Sequence, residues 1–181
     1  MQHVVGYFVG SLAKESINRK FATSLVVLAP EGIEFREIGI SDLPLYNRDL
    51  DAAPPATVVA FKDAIAACDA LLYVTPEYNR SIPGPLKNAI DWASRPRDAR
   101  LLSKPSALAG VSGGPIGTAV AQAHLRSILG FFGAALYTQP ELYIQWKADL
   151  IGADGQFRPD TAQFLTGWMS GLAAFLDKQL G

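Results

Sequence analysis

Two stretches hold residues whose types and spacing could do chemistry. In the first, the apolar run Val4-Val5-Gly6-Tyr7-Phe8-Val9 leads into Gly10-Ser11-Leu12 and then Ser16-Ile17-Asn18-Arg19. Two hydroxyls, an amide, a guanidinium and the free N–H groups of a helix start would together suit a phosphate monoester. Serine and asparagine are also ordinary helix N-caps, so a purely structural role stands beside that reading. The spacing G-x-x-x-x-G-K-[ST] is absent, which excludes a Walker loop.

The second stretch, Thr75 to Trp92, follows the apolar run Ala70-Leu71-Leu72-Tyr73-Val74. Pro76, Pro83 and Pro85 stiffen the backbone and Gly84 permits close approach. Tyr78 and Asn79 add an aromatic face and amide hydrogen bonds, a set suited to a planar heterocycle. The same residues also read as a rigid loop and a proline-started helix, with Lys87, Asn88 and Asp91 outward and Trp92 in packing. A third junction, Ala109 to Gly117, is glycine-rich without matching G-x-G-x-x-G. Glu77 is the one acid in the central loop, so it points to hydrogen bonding and not to a carboxylate pair. His3, at the start of a strand, and His124, mid-helix, have no triad or metal-ligand context and read as non-catalytic. Redox chemistry on a bound cofactor needs no protein nucleophile.

These loops must be positioned by alternating elements. Short apolar runs predict strands near 3–9, 33–38, 70–75, 106–112 and 134–138. Helical spacing predicts helices over 16–29, 55–68, 85–94, 116–132 and 160–179. Ile17, Phe21, Leu25 and Leu28 form one apolar stripe, Val58, Phe61, Ile65 and Cys68 another, and Phe164, Trp168, Leu172 and Phe175 a third. Pro54-Pro55 signals a helix start, and Asp160 with Gln163 resembles a capping box. The alternation predicts an α/β flavodoxin-like three-layer sandwich whose five-stranded parallel sheet has the order 2-1-3-4-5, as one domain over 1–181. Ligands of such sheets bind at the carboxyl ends of the strands, where the first and third strands diverge. The aromatic segment Pro140 to Trp146 would cover a core edge or meet another subunit.

Sixteen basic and seventeen acidic residues leave a net charge of -1, which gives nucleic acid or an anionic membrane no obvious purchase. The single cysteine, Cys68, falls on an apolar stripe and reads as core. With no leader-like start and no apolar run of membrane-spanning length, a soluble cytoplasmic protein is expected.

Gly10-Ser11-Leu12 with Ser16 and Asn18-Arg19, Leu43 to Leu50, Thr75 to Trp92, and Ser112-Gly113-Gly114 with Gly117 occur in order over residues 4–120. Together they closely resemble the NAD(P)H-dependent FMN reductases, flavodoxin-like quinone reductases that include azo-dye and chromate reductases. By that resemblance Ser11, Ser16, Asn18 and Arg19 would bind the FMN phosphate. Pro76, Glu77, Tyr78 and Asn79 would line the ribityl chain and ring, and Ser112 and Gly113 would approach the pyrimidine side. Ala13 stands where the family commonly has Arg, followed here by Lys14, which leaves the choice between NADPH and NADH open.

The resemblance implies alternating transfer of two electrons from NAD(P)H to a quinone or a similar acceptor at the flavin, with no catalytic side chain. Substitution of Ser11 or Asn18 by Ala is then expected to weaken flavin retention more than folding. A homodimer or homotetramer is also implied, with Tyr46, Arg80, Trp92, Arg95, Tyr143 and Trp146 as interface candidates. A flavodoxin-type electron carrier and a flavin-bound redox sensor are the alternatives. A carrier usually needs a strongly acidic docking face, which a net charge of -1 does not provide.

Overall fold

The computed structural model describes residues 2–96 and 99–181. Strands β1 (His3–Val9), β2 (Ile33–Glu37), β3 (Ala70–Val74), β4 (Ser106–Ser112) and β5 (Leu136–Tyr137) pair in the order β2-β1-β3-β4-β5, all parallel. The helices are α1 (Ile17–Val26), α2 (Ala56–Ala66), α3 (Gly84–Ala93), α4 (Ala119–Phe131) and α5 (Pro159–Leu180). β3 is buried at every residue, as a central parallel strand covered on both faces must be. One face of the sheet packs Phe8, Leu71 and Tyr73 against Phe61 and Ile65 of α2, Leu86 of α3 and Leu125 of α4. The other packs Val5, Leu72 and Ala109 against Phe21 and Leu25 of α1 and Trp168 and Leu172 of α5. This is the expected three-layer order.

Several expectations are corrected. A sixth strand, β6 (Tyr143–Gln145), falls inside the aromatic segment and pairs in parallel with Gly110–Ser112 of β4, while β5 pairs only with Ser106 and Ala107. The third stripe is out of phase at Phe164, which is exposed, and Leu165, Met169 and Leu176 complete the buried face of α5 instead. Asp160 is an acid of the first turn of α5, not its cap, because the helix already starts at Pro159. Trp92 is withdrawn as an interface candidate, since it is buried within the chain and donates from Nε1 to the Pro44 carbonyl at 2.7 Å. Cys68 lies in the core as expected, and burial pushes its thiol above the usual range. Among the described residues no helix is long and apolar enough to cross a membrane.

Candidate functional site

At the carboxyl ends of β1, β3 and β4 the three loops stay zipped together. Gly10 N–H donates to the Val74 carbonyl at 2.8 Å, and Thr75 N–H donates to that of Ala109 at 2.9 Å. Glycine makes this close approach possible. A Cβ on Gly10 would press on Pro76 and Pro83 at 3.2 Å, and one on Gly110 would collide with the Thr75 carbonyl oxygen. Above this floor lies a crevice of about 300 Å³, lined by Ser11, Ser16 and Asn18 on one side, Pro76, Glu77 and Tyr78 on another, and Ser112 and Gly113 on the third.

Ser16 is the N-cap of α1, and its Oγ accepts Arg19 N–H at 3.2 Å. The helical ladder begins with Lys20 N–H on the Ser16 carbonyl, so the N–H groups of Ile17 and Asn18 have no intrahelical acceptor. Ser11 is buried, and its hydroxyl makes only a long contact with Ala13 N–H at 3.4 Å. Both the hydroxyl and the helix start are therefore available to an anion. Lys14 is exposed at the loop tip between two crevice residues, Ala13 and Glu15.

Two residues of the phosphate motif are used otherwise. Asn18 is buried and grips one residue of β4: Nδ2 donates to the Val111 carbonyl at 2.9 Å, and Oδ1 accepts Val111 N–H at 3.0 Å. Its amide fixes the first loop against the third. Arg19 points out of the crevice, where its guanidinium pairs with Glu37 at the end of β2. Its side chain does not line the crevice, because helical phase turns residue 19 away when residue 18 faces the sheet.

The central loop is held from a distance. Glu77 Oε2 accepts the N–H groups of Val120 and Ala121, both at 3.0 Å, and so caps α4, whose own N-cap Thr118 makes no side-chain cap bond. A carboxylate at a helix amino terminus is favoured by the macrodipole as well as by the hydrogen bonds. Tyr78 and Ser81 exchange both backbone hydrogen bonds at 3.0 Å, with Asn79 and Arg80 at positive φ between them, the pattern of a type I′ turn. Asn79 and Arg80 form the exposed corner of that turn, and Asn79 does not line the crevice. His124 of α4 reaches the same loop, Nδ1 to Ser81 Oγ at 3.0 Å, a contact the sequence reading missed. On the third side, a Cβ on Gly113 would meet nothing within 4 Å, and one on Gly114 only Ser112 Oγ at 3.7 Å. A flat ring can approach that open backbone.

The crevice thus joins a helix start with free N–H groups to an open planar ledge. The chain matches the family model for NADPH-dependent FMN reductases over residues 4–149. It belongs to that family. It is 45% identical to a 2-hydroxy-1,4-benzoquinone reductase of a Burkholderia species, over 95% of both chains. It is also 44% identical to a quinone reductase of Pseudomonas putida, over 95% of this chain and 94% of that one. Among solved structures, FerB, a flavoenzyme NAD(P)H:(acceptor) oxidoreductase from Paracoccus denitrificans, superimposes with a TM-score of 0.92 at 45% identity, covering 97% and 98% of the two chains. A flavodoxin-like WrbA-type protein from Agrobacterium tumefaciens, at 14% identity and a TM-score of 0.66, shares the fold alone. The FMN reductase family was expected from the loop motifs and the flavodoxin-like fold from the alternation of strands and helices.

Proposed function

We propose that the crevice binds FMN and that the chain is an NAD(P)H-dependent quinone reductase. Ser11 and the N–H groups of Ile17 and Asn18 would hold the phosphate, with Ser16 shaping that helix start. Pro76, Glu77 and Tyr78 would bound the ribityl chain and ring, with Asn79 at the turn's outer corner. Ser112 and Gly113 would face the pyrimidine edge. The single observation that supports this reading best is the juxtaposition of a helix start, where the N–H groups of Ile17 and Asn18 have no intrahelical acceptor, with a glycine ledge that a Cβ would not obstruct.

FMN held there would supply the redox chemistry, a two-electron exchange between NAD(P)H and the acceptor. The chain's part is positional. Pro76 and the turn after it stiffen one wall, Asn18 locks the opposite loops together, and the open mouth admits donor and quinone in turn. Azo compounds, free flavins and chromate are further acceptors for so open a site. The reductase names of the relatives favour an enzyme over an electron carrier.

Leu12, Leu45, Tyr78 and Ile116, exposed apolar residues, come from four different loops at this end of the sheet, which supports a homodimer or homotetramer joined there. Light scattering of the purified protein tests that assembly. A cytoplasmic location accords with one buried cysteine thiol.

The deciding experiment is anaerobic mixing of the FMN-loaded protein with NADH and NADPH in parallel. The flavin colour is expected to bleach and to return when a benzoquinone is added. A protein that takes up no FMN, or whose flavin neither donor bleaches, overturns the proposal.

A further inference from the structure

A second groove on the described surface lies outside the crevice. It measures about 650 Å³ and is bounded by the outward face of α1, at Arg19, Lys20, Thr23 and Val27, and by the segment after β6, at Trp146 and Asp154. That segment is anchored over the helix by Ser24 Oγ, which donates to the Gly155 carbonyl at 2.6 Å, and its own turn is braced by Asp154 Oδ1, which accepts Gln156 N–H at 3.0 Å. The groove adjoins the crevice at both of its walls. Arg19 and Lys20 follow directly on Ser16 and Asn18, and Trp146 N–H donates to the carbonyl of Ser112, a crevice residue, at 2.8 Å.

Its chemistry is graded. The end beside the crevice has two cations, Arg19 paired with Glu37 and Lys20 with Glu15. Side-chain exposures of 43% and 55% leave both pairs solvent-screened, so either cation can turn to another anion at little cost. Further along, the lining becomes an indole, the exposed Val27 and small aliphatic residues. Cations followed by a flat apolar cleft match a nucleotide: phosphate first, purine beyond.

We infer that this groove receives the adenosine phosphate end of the nicotinamide dinucleotide donor, with Arg19 and Lys20 on its phosphates and Trp146 and Val27 covering the purine. This rests on the proposal that the crevice holds FMN and takes hydride from that donor. It also gives the guanidinium of Arg19, which faces away from the flavin phosphate position, a partner on the other side of the helix.

The test uses the FMN-loaded protein and the double variant Lys20→Glu with Thr23→Glu, two exposed positions on one helix face. Three donors are compared by stopped-flow: NADPH, NADH and reduced nicotinamide mononucleotide, which lacks the adenosine end. The apparent Kd for both dinucleotides should rise about tenfold while flavin retention and the limiting rate of reduction stay the same. Reduction by the mononucleotide should also be unchanged. An equal effect on all three donors, or none on the dinucleotides, overturns the inference. A defect that appears only when FAD replaces FMN would assign the groove to the flavin's own adenylate and overturn it too. Failure of the flavin reading itself is distinguishable, because the unsubstituted protein would then hold no FMN before any donor is added.

Discussion

Asn18 and Val111 are joined by two reciprocal hydrogen bonds, at 2.9 and 3.0 Å, that fasten the start of α1 to the end of β4. This amide is buried and grips backbone while its residue lines the crevice. Asn18→Ala leaves both main-chain groups of Val111 unsatisfied, so it should cost about 2–4 kcal/mol of stability. Ser11→Ala, which removes only a long contact, should cost little stability and weaken FMN binding. Urea unfolding of the flavin-free variants, beside FMN titrations, separates the two outcomes.

Glu77 caps a helix that begins more than forty residues later in the chain. Glu77→Ala should lose about 1–2 kcal/mol, and Glu77→Gln about half of that, because the amide keeps a hydrogen-bond acceptor but not the charge. Both should also weaken FMN binding by loosening the turn beside Tyr78. Chemical denaturation with and without FMN measures both effects.

Arg80 sits at φ 62°, in the left-handed region, with its side chain mostly exposed. Arg80→Gly relieves the steric cost of that backbone and should stabilise the protein by about 0.5–1 kcal/mol, the gain reduced by glycine's freedom when unfolded. A small rise in melting temperature is the expected reading.

Burial pushes the Tyr73 phenol far above its ordinary value, and Tyr7, Tyr137 and Tyr143 are raised chiefly by the same cause. A tyrosine that holds its proton longer when folded gives stability that is intact below the unfolded value of about 10 and is lost as pH climbs towards the raised one. The protein should therefore weaken steeply in alkali. Tyr73 Oη is buried without a well-formed hydrogen bond among the described residues, its polar neighbour Ser106 Oγ donating to the Lys104 carbonyl at 2.9 Å. Tyr73→Phe should leave neutral stability equal or raise it by about 1 kcal/mol, and flatten the alkaline decline. Denaturation curves at a series of pH values test this.

Much of the fold was legible because its apolar runs are long enough to show a period. β1, β3 and β4 are nearly continuous hydrophobic stretches, each followed by a loop with turn chemistry. β6 was not, since its three residues are too few for any period and its pairing is decided by β4. In the first loop the residue types suggest a ligand, but the direction of each side chain follows from helical phase. Asn18 lies three residues before Phe21 and seven before Leu25, on the buried stripe, so spacing alone placed its side chain inward and that of Arg19 outward. The Glu77 cap and the contact of His124 with Ser81 join distant segments, and no local pattern announces them.

The last position of the sheet is shared by two separate pieces of chain, β5 against the lower half of β4 and β6 against the upper. Both pieces pack on the hydrophobic centre, the lower through Tyr137 and the upper through Ile144 and Trp146, but the upper one also reaches the crevice, where Gln145 Nε2 donates to the Gly113 carbonyl at 3.2 Å. A substitution in residues 143–146 is therefore felt both in the solidity of the molecule and in the shape of its mouth.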